Sequence, residues 1–377
     1  MTAILRKYFP MIRTREEIQA EIQSKDKLLE IYQGWKEEQQ EAFLDYCTGQ
    51  KGVRVLYDPF FKEIMNPELV PERLEEFLSL VLEQKVKILL VLPNDSTRIA
   101  DEHSLVITDI VIELEDHSIA NVEVQKLGYR FPGQRCACYS ADLLLRQYKR
   151  VRGEKGRNFS YKDIKKVYTI ILYEKSPKEF HDFRENYIHH FSQKSDTGLC
   201  LDLQQEYALI ALDIFQEIVH NKGVRSKLDA WLVFFSTDEP SRIAELLEGY
   251  PEFRNLYGEI YELCRNVEKV MEMFSKELQE LDRNTVQYMI DEMQEEIDEQ
   301  KKKLDEKDSV LKEQKRKLDE KDSVLSEQKK KLDEKDSVLS EQKKQLDEKD
   351  SVLSEQKKQL DKKDKEIARL KELLSKS

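Results

Sequence analysis

From Leu304 to Leu360 a leucine stands at every seventh position, on a repeat of 14 residues that begins Lys301-Lys-Lys-Leu-Asp-Glu-Lys-Asp-Ser-Val-Leu-Lys-Glu-Gln314. Close copies start at 315, 329 and 343, and a degenerate one at 357. No Gly or Pro interrupts the run, so one continuous helix is its natural conformation. A heptad leucine strip is half of a coiled-coil seam, and the other half is polar. With leucine at d, the a positions alternate Asp308, Lys315, Asp322, Lys329 and so on, so an aligned parallel pair would meet like charges at every layer. With leucine at a, the d positions are Lys307, Gln314, Lys321 and Gln328, hardly better. The expectation is a weak or shifted pairing, or a solvated single helix held by pairs such as Glu313 with Lys317 and Glu327 with Lys331.

This repeat dominates the composition: the 377 residues are 39% apolar and 37% charged, with a formal charge of -12. Residues 301–377 hold no aromatic residue, so the packed part is roughly the first 300, enough for one large domain or two modest ones. No apolar run approaches the ~20 residues that span a bilayer, and the start lacks a signal-length apolar segment. Five cysteines, an odd number scattered along the chain, fit reduced thiols better than a disulfide framework. A cytoplasmic location and no membrane partner are therefore expected. The charge is uneven. Residues 126–175 carry thirteen Lys/Arg against four Asp/Glu, whereas 241–300 carry six against sixteen. The basic block, with Lys149, Arg150, Arg152, Lys155 and Arg157 interleaved among Tyr129, Tyr139, Tyr148 and Tyr161, could neutralise several phosphates. A solvated helix face followed by a Lys-rich loop explains it equally well.

Thr14-Arg-Glu-Glu17 has the capping-box form and predicts a helix to about Tyr32. A second helix runs from Trp35 to Cys47 and stops at Thr48-Gly49, a short one covers Phe60 to Met65, and Pro71 opens a fourth. The texture changes at 86. Val86–Leu92, Ser104–Leu114, Ile119–Gln125 and Val167–Tyr173 read as strands, with a helix from Gly133 to Arg150 between the last two. A further strand or helix pair lies in Leu201–Phe215 and Trp231–Phe235. Residues 241–300 read as amphipathic helices with Ile243, Leu246, Leu247, Leu256, Ile260, Leu263, Val267 and Met271 as the buried stripe. The domain division is 1–50, 51–240, 241–300 and 301–377.

The sharpest chemistry is on the strand pair. Asp109 is an acid inside an apolar strand, where burying it alone would cost on the order of several kcal/mol. In Asn121-Val-Glu-Val-Gln125 the alternation puts Asn121, Glu123 and Gln125 on one face. A hairpin through Glu115-Asp-His-Ser118 would set Asp109 and Glu123 on neighbouring strands, an oxygen-rich site of the kind Mg²⁺ prefers. A buried salt bridge to Arg135 or Lys149 is the equal alternative.

At these residues the chain resembles the PD-(D/E)XK nuclease superfamily, specifically the Rpn-like recombination-promoting nucleases known as PD-(D/E)XK family transposases. The matching pieces are Tyr57-Asp-Pro-Phe-Phe-Lys62, Thr108-Asp109-Ile110, Val122-Glu-Val-Gln125 and Gln134-Arg-Cys-Ala-Cys-Tyr139. The resemblance covers about residues 50–240 and, more loosely, the helices to 300. It implies an α/β fold, a restriction-endonuclease-like core with a mixed sheet flanked by helices, to which this chain adds N-terminal helices and a long C-terminal helix or coiled coil. It further implies a Mg²⁺-dependent DNA endonuclease of a transposase or recombination-promoting type. Asp109 and Glu123 match the metal-binding acids, and Gln125 stands where the superfamily usually has Lys, in the Glu-x-Gln form of this branch. Lys126 points to the opposite strand face. Arg135 and Tyr139 match the branch's helix pair and would hold the scissile phosphate, and Asp58 and Lys62 match its N-terminal motif and are expected to join them as phosphate-binding residues. The implied partner is DNA, with homo-oligomerisation through the C-terminal helix as a further expectation. The alternatives are a nuclease-like protein that grips nucleic acid without cutting, and a scaffold whose working part is the C-terminal helix. Cys136-Ala-Cys138 reads as buried thiols rather than a zinc site, and His181, His189 and His190 as part of a surface helix.

Overall fold

The computed structural model describes residues 4–92, 110–128 and 132–374. Helices come first: α1 (Arg15–Ser24), α2 (Asp26–Gly34), α3 (Glu37–Cys47), α4 (Asp58–Ile64) and α5 (Pro71–Val81). Then come β1 (Ile88–Val91), β2 (Ile110–Leu114), β3 (Ile119–Gln125), α6 (Pro132–Lys155), β4 (Val167–Tyr173), β5 (Ile188–Ser192) and β6 (Gln205–Ala211). The chain continues through α7 (Leu212–Lys222), α8 (Lys227–Ser236), α9 (Pro240–Gly249), α10 (Phe253–Cys264) and α11 (Val267–Leu374). It divides into two compact units, Met1–Gln294 and Glu295–Ser377.

In the first unit the capping box at Thr14 forms. The Glu17 amide donates to Thr14 Oγ1 at 3.2 Å, and the Thr14 amide donates to Glu17 Oε2 at 2.8 Å. The helix expected to reach Tyr32 breaks instead at Lys25, whose backbone is extended. Ile22 and Leu28 are six residues apart and would point to different sides of an unbroken helix. The break lets both be buried. Gly49 ends α3 at φ +66, a conformation that favours glycine, and a Cβ there would crowd Ile12 Cδ1 at 3.0 Å.

The six strands form one mixed sheet in the order β1-β2-β3-β4-β6-β5. β2 and β3 are antiparallel across a turn in which Asp116 Oδ1 accepts the Ser118 amide at 3.0 Å. β3, β4 and β6 are parallel, and α6 makes the crossover from β3 to β4. β4 is buried at every position, as its mostly apolar run, broken only by Thr169, requires of a central parallel strand. Even-numbered residues of β3, Ala120 and Val122, join a core that extends from Leu5 to Phe274 and includes α4, α5, α8 and the start of α11. Odd-numbered ones face α6. Ile119 packs with Val111, Leu143 and Val167, and further along Cys136 and Tyr139 of α6 pack on Ile171 and Tyr173.

Three local expectations are corrected. α6 continues past Arg150 to Lys155, so Gly153 is helical and the chain turns at Gly156, φ +52. His189 and His190 lie in the edge strand β5, antiparallel to β6, because the backbone pairing offered by β6 decides a segment that has no apolar alternation of its own. Of the two thiols expected to be buried, Cys136 is buried but Cys138 is exposed, because two residues along α6 turn the side chain about 200° round the helix. In the second unit α11 is a continuous helix whose leucines are exposed, Leu304 and Leu318 at 61% each. The pairs Glu313–Lys317 and Glu327–Lys331 form at 2.8 Å. Among the described residues no helix is long and apolar enough to cross a membrane.

Candidate functional site

Four of the sequence-derived residues come together where β3 ends beneath α6. Glu123 and Gln125 point from the same strand face and are both buried, 6% and 4% exposed. Gln125 Nε2 donates to Glu123 Oε1 at 2.8 Å. From α6, Tyr139 and the half-buried Arg135, one turn apart, reach the same spot, where the Tyr139 hydroxyl interacts electrostatically with both Glu123 and Arg135. Burial, reinforced by the Glu123 charge, holds the Tyr139 phenol well above its ordinary pKa, so at neutral pH it is a donor rather than a base. Asp109, the other acid expected here, lies outside the described residues.

The donors at this spot are oxygens: the Glu123 carboxylate and the Gln125 amide carbonyl, which is turned away from the hydrogen bond that its nitrogen makes. An oxygen set with one fixed carboxylate fits a hard cation such as Mg²⁺, which keeps most of its waters and takes one or two carboxylates. Among the described residues no group of three or more His, Cys, Asp or Glu side chains is arranged to hold a metal by itself. The neighbouring thiol is not a competitor, because burial pushes Cys136 up to about 11, and its sulfur lies 3.9 Å from the Tyr173 hydroxyl.

Asp58 and Lys62 pair with each other at 2.9 Å on α4, on the other side of the sheet. Their link to the site runs through a buried ion pair that sequence reasoning missed. Lys126, next to Gln125 but on the opposite face as strand parity requires, lies 3.0 Å from Glu277 of α11. Both are buried, 6% and 0% exposed. Lys126 Nζ also donates to the Leu56 carbonyl and sits 4.9 Å from the centre of the Tyr57 ring, while Glu277 Oε2 accepts the Asp58 amide at 2.8 Å. The signal for it was an acid on a buried stripe: Glu277 follows Val270, Met271 and Phe274 at helical spacing.

The basic block divides. Arg150 pairs with the buried Glu113 at 2.5 Å, and His117 contacts the same carboxylate at 2.8 Å. Lys155 pairs with Asp163 at 2.6 Å. Lys149 and Arg157 are exposed and make no ion pair among the described residues, and Arg152 lies against the Tyr148 ring. Tyr148 also stacks near Tyr161, with ring centres 6.2 Å apart, and Tyr161 is 78% exposed. This surface therefore combines unpaired cations with an open aromatic face.

Against known proteins, residues 55–292 match the family model described as PD-(D/E)XK nuclease family transposase. No curated protein and no solved structure gives a significant match.

Proposed function

The chain belongs to the PD-(D/E)XK nuclease family transposases, and on that premise we propose that it is a metal-dependent DNA endonuclease whose reaction centre is the Glu123–Gln125–Tyr139–Arg135 cluster together with Asp109. The observation that carries this reading is the convergence of a buried carboxylate, its bound carboxamide and a Tyr–Arg pair from the covering helix. Glu123 and Asp109 would hold Mg²⁺, which when bound activates water and offsets charge on the phosphate under attack. Gln125, by donating to one carboxylate oxygen, fixes the rotamer of Glu123. Arg135 supplies a planar guanidinium for a phosphate oxygen. Tyr139 stays protonated and donates, which orients Glu123 or a phosphate oxygen. Lys149, Arg152 and Arg157 would hold the DNA backbone beyond the reacting group. The reduced thiols fit a cytoplasmic enzyme, all five cysteines being free.

One observation favours a second reading, a nuclease-like protein that binds DNA without cutting. The position usually held by a lysine ammonium carries a neutral amide whose nitrogen is already engaged by Glu123. Plasmid nicking with and without Mg²⁺ separates the two. Cleavage by the parent, lost in both Glu123→Gln and Asp109→Asn while DNA binding persists, supports the enzyme. A parent that binds DNA but never nicks it, at any divalent metal concentration, supports the binder. Mg²⁺-dependent nicking that survives in both variants removes the site assignment.

A further inference from the structure

The helix α11 carries an uncovered apolar stripe just before the repeat. Val286, Ile290, Met293 and Ile297 are 57%, 52%, 54% and 47% exposed and follow one another at spacings of four and three. That spacing is a complete a/d seam, with Ile290 and Ile297 at a and Val286 and Met293 at d. Carried forward by sevens, it places Leu304 and every later leucine of the repeat at a. After the repeat the same frame puts Ile367 at a and Leu370 at d, again 50% and 55% exposed. The apolar residues at both ends thus select one of the two registers available to the leucine strip.

Charge selects the occupant. In a parallel, in-register pair each g residue faces the e residue five positions later on the other helix. In this frame Glu296 meets Lys301, Lys303 meets Asp308, and Glu366 meets Lys371. The Lys303–Asp308 pairing recurs at Lys317–Asp322 and Lys331–Asp336, and the remaining g positions from 310 to 359 are Val or Gln. From 296 to 371 every charged g–e pair is of opposite sign. An antiparallel pair would set g against g and e against e, and the leucine-at-d register would set Lys307 against Lys312. The alternate d layers of Lys and Gln weaken the centre, but long Lys stems can lie along the seam and carry their ammonium groups to water. The ion pairs that Lys317 and Lys331 make within one helix, with 63% and 68% of their side chains exposed, are weak enough to be exchanged.

We propose that the exposed face of α11 is covered by a second copy of this chain, in a parallel, in-register coiled coil anchored at Val286–Ile297 and at Ile367–Leu370. Sedimentation equilibrium of the full chain should give twice the chain mass. Ile290→Asp/Ile297→Asp, at positions open to solvent in the single chain, should keep the parent circular dichroism and shift dimerisation to at least tenfold higher concentration. Lys303→Glu/Lys317→Glu/Lys331→Glu should be monomeric alone, as should Asp308→Lys/Asp322→Lys/Asp336→Lys, and an equimolar mixture should dimerise. Ile290→Cys in a Cys138→Ser/Cys200→Ser background should cross-link to itself on mild copper-catalysed air oxidation. A monomeric parent, which would leave the stripe to a different protein, overturns the proposal. So does a dimer indifferent to the Ile290→Asp/Ile297→Asp pair or to the charge swaps. A dimer that cannot be cross-linked at position 290 overturns its parallel alignment.

Discussion

Removing either member of the Lys126–Glu277 pair should destabilise the protein, but by unequal amounts and with different pH dependence. The two side chains lie 3.0 Å apart and are essentially out of water, so solvent does not screen them. Glu277→Ala leaves the Lys126 ammonium buried with only the Leu56 carbonyl and the Tyr57 ring, and leaves the Asp58 amide without its acceptor. Breaking a buried pair in this way costs about 3–5 kcal/mol, or about 6–20 °C in melting temperature at roughly 2–4 °C per kcal/mol. Lys126→Met leaves a carboxyl that has an escape. Burial already pushes Glu277 above the ordinary carboxylate range even though Lys126 and the Asp58 amide oppose the shift. Without Lys126 it rises further and takes up a proton, so the cost near pH 5 should be smaller, roughly 1–2 kcal/mol. A carboxyl with a raised folded pKa binds its proton more tightly in the folded state. Its contribution is therefore present below the ordinary carboxylate range and is lost as pH rises through the folded value, at up to about 1.4 kcal/mol per pH unit. Urea denaturation of the parent and both variants from pH 5 to 8 measures this. Equal losses at every pH, or a Glu277→Ala variant within about 0.5 kcal/mol of the parent as for an ordinary surface site, would show that the pair does not carry the charge balance assigned to it.

Gln125→Ala should lower nicking by roughly 10- to 100-fold by freeing the Glu123 carboxylate to rotate, and Gln125→Lys should restore it. A lysine variant as inactive as alanine would mean that the carboxamide geometry itself is needed. Lys149→Glu/Arg152→Glu/Arg157→Glu should weaken binding to all DNA sequences alike and reduce the slope of log affinity against log salt by roughly one for each phosphate that is no longer neutralised. An unchanged slope would place that surface away from the DNA. Arg150 is left out of that set because reversing it would strand the buried Glu113. His189 is held below its ordinary pKa by burial and packs 5.1 Å from the Phe180 ring. The stability due to its neutral ring is complete above pH 6.5 and is lost as pH falls through 6.5 toward the folded value. His189→Phe should flatten the stability profile between pH 5 and 7, and an unaltered profile would show that another group titrates there.

The residues of β3 and their two faces were legible in the chain because strand alternation is a local property: Val122 and Val124 against Glu123 and Gln125 is enough to say which side chains share a face. The same holds for the capping box at Thr14, the αL stop at Gly49 and the uninterrupted helix of the repeat, each decided within a few residues. The convergence of Arg135 and Tyr139 on Glu123 was reachable through the family resemblance. Its geometry depends on how α6 crosses back over the sheet. The assignment of 188–192 to a strand, against a local pattern that reads as helix, was made by the free edge of β6. Arg150 looked like one cation among many until Glu113 lay beside it, and Lys126 and Glu277 are far apart in sequence, with nothing local to join them. Sequence pattern records what each residue can do with its immediate neighbours on a helix or strand. Which charge is neutralised in the interior and which is left for a ligand depends on long-range packing, because a buried charge takes whatever partner the fold brings within a few ångströms.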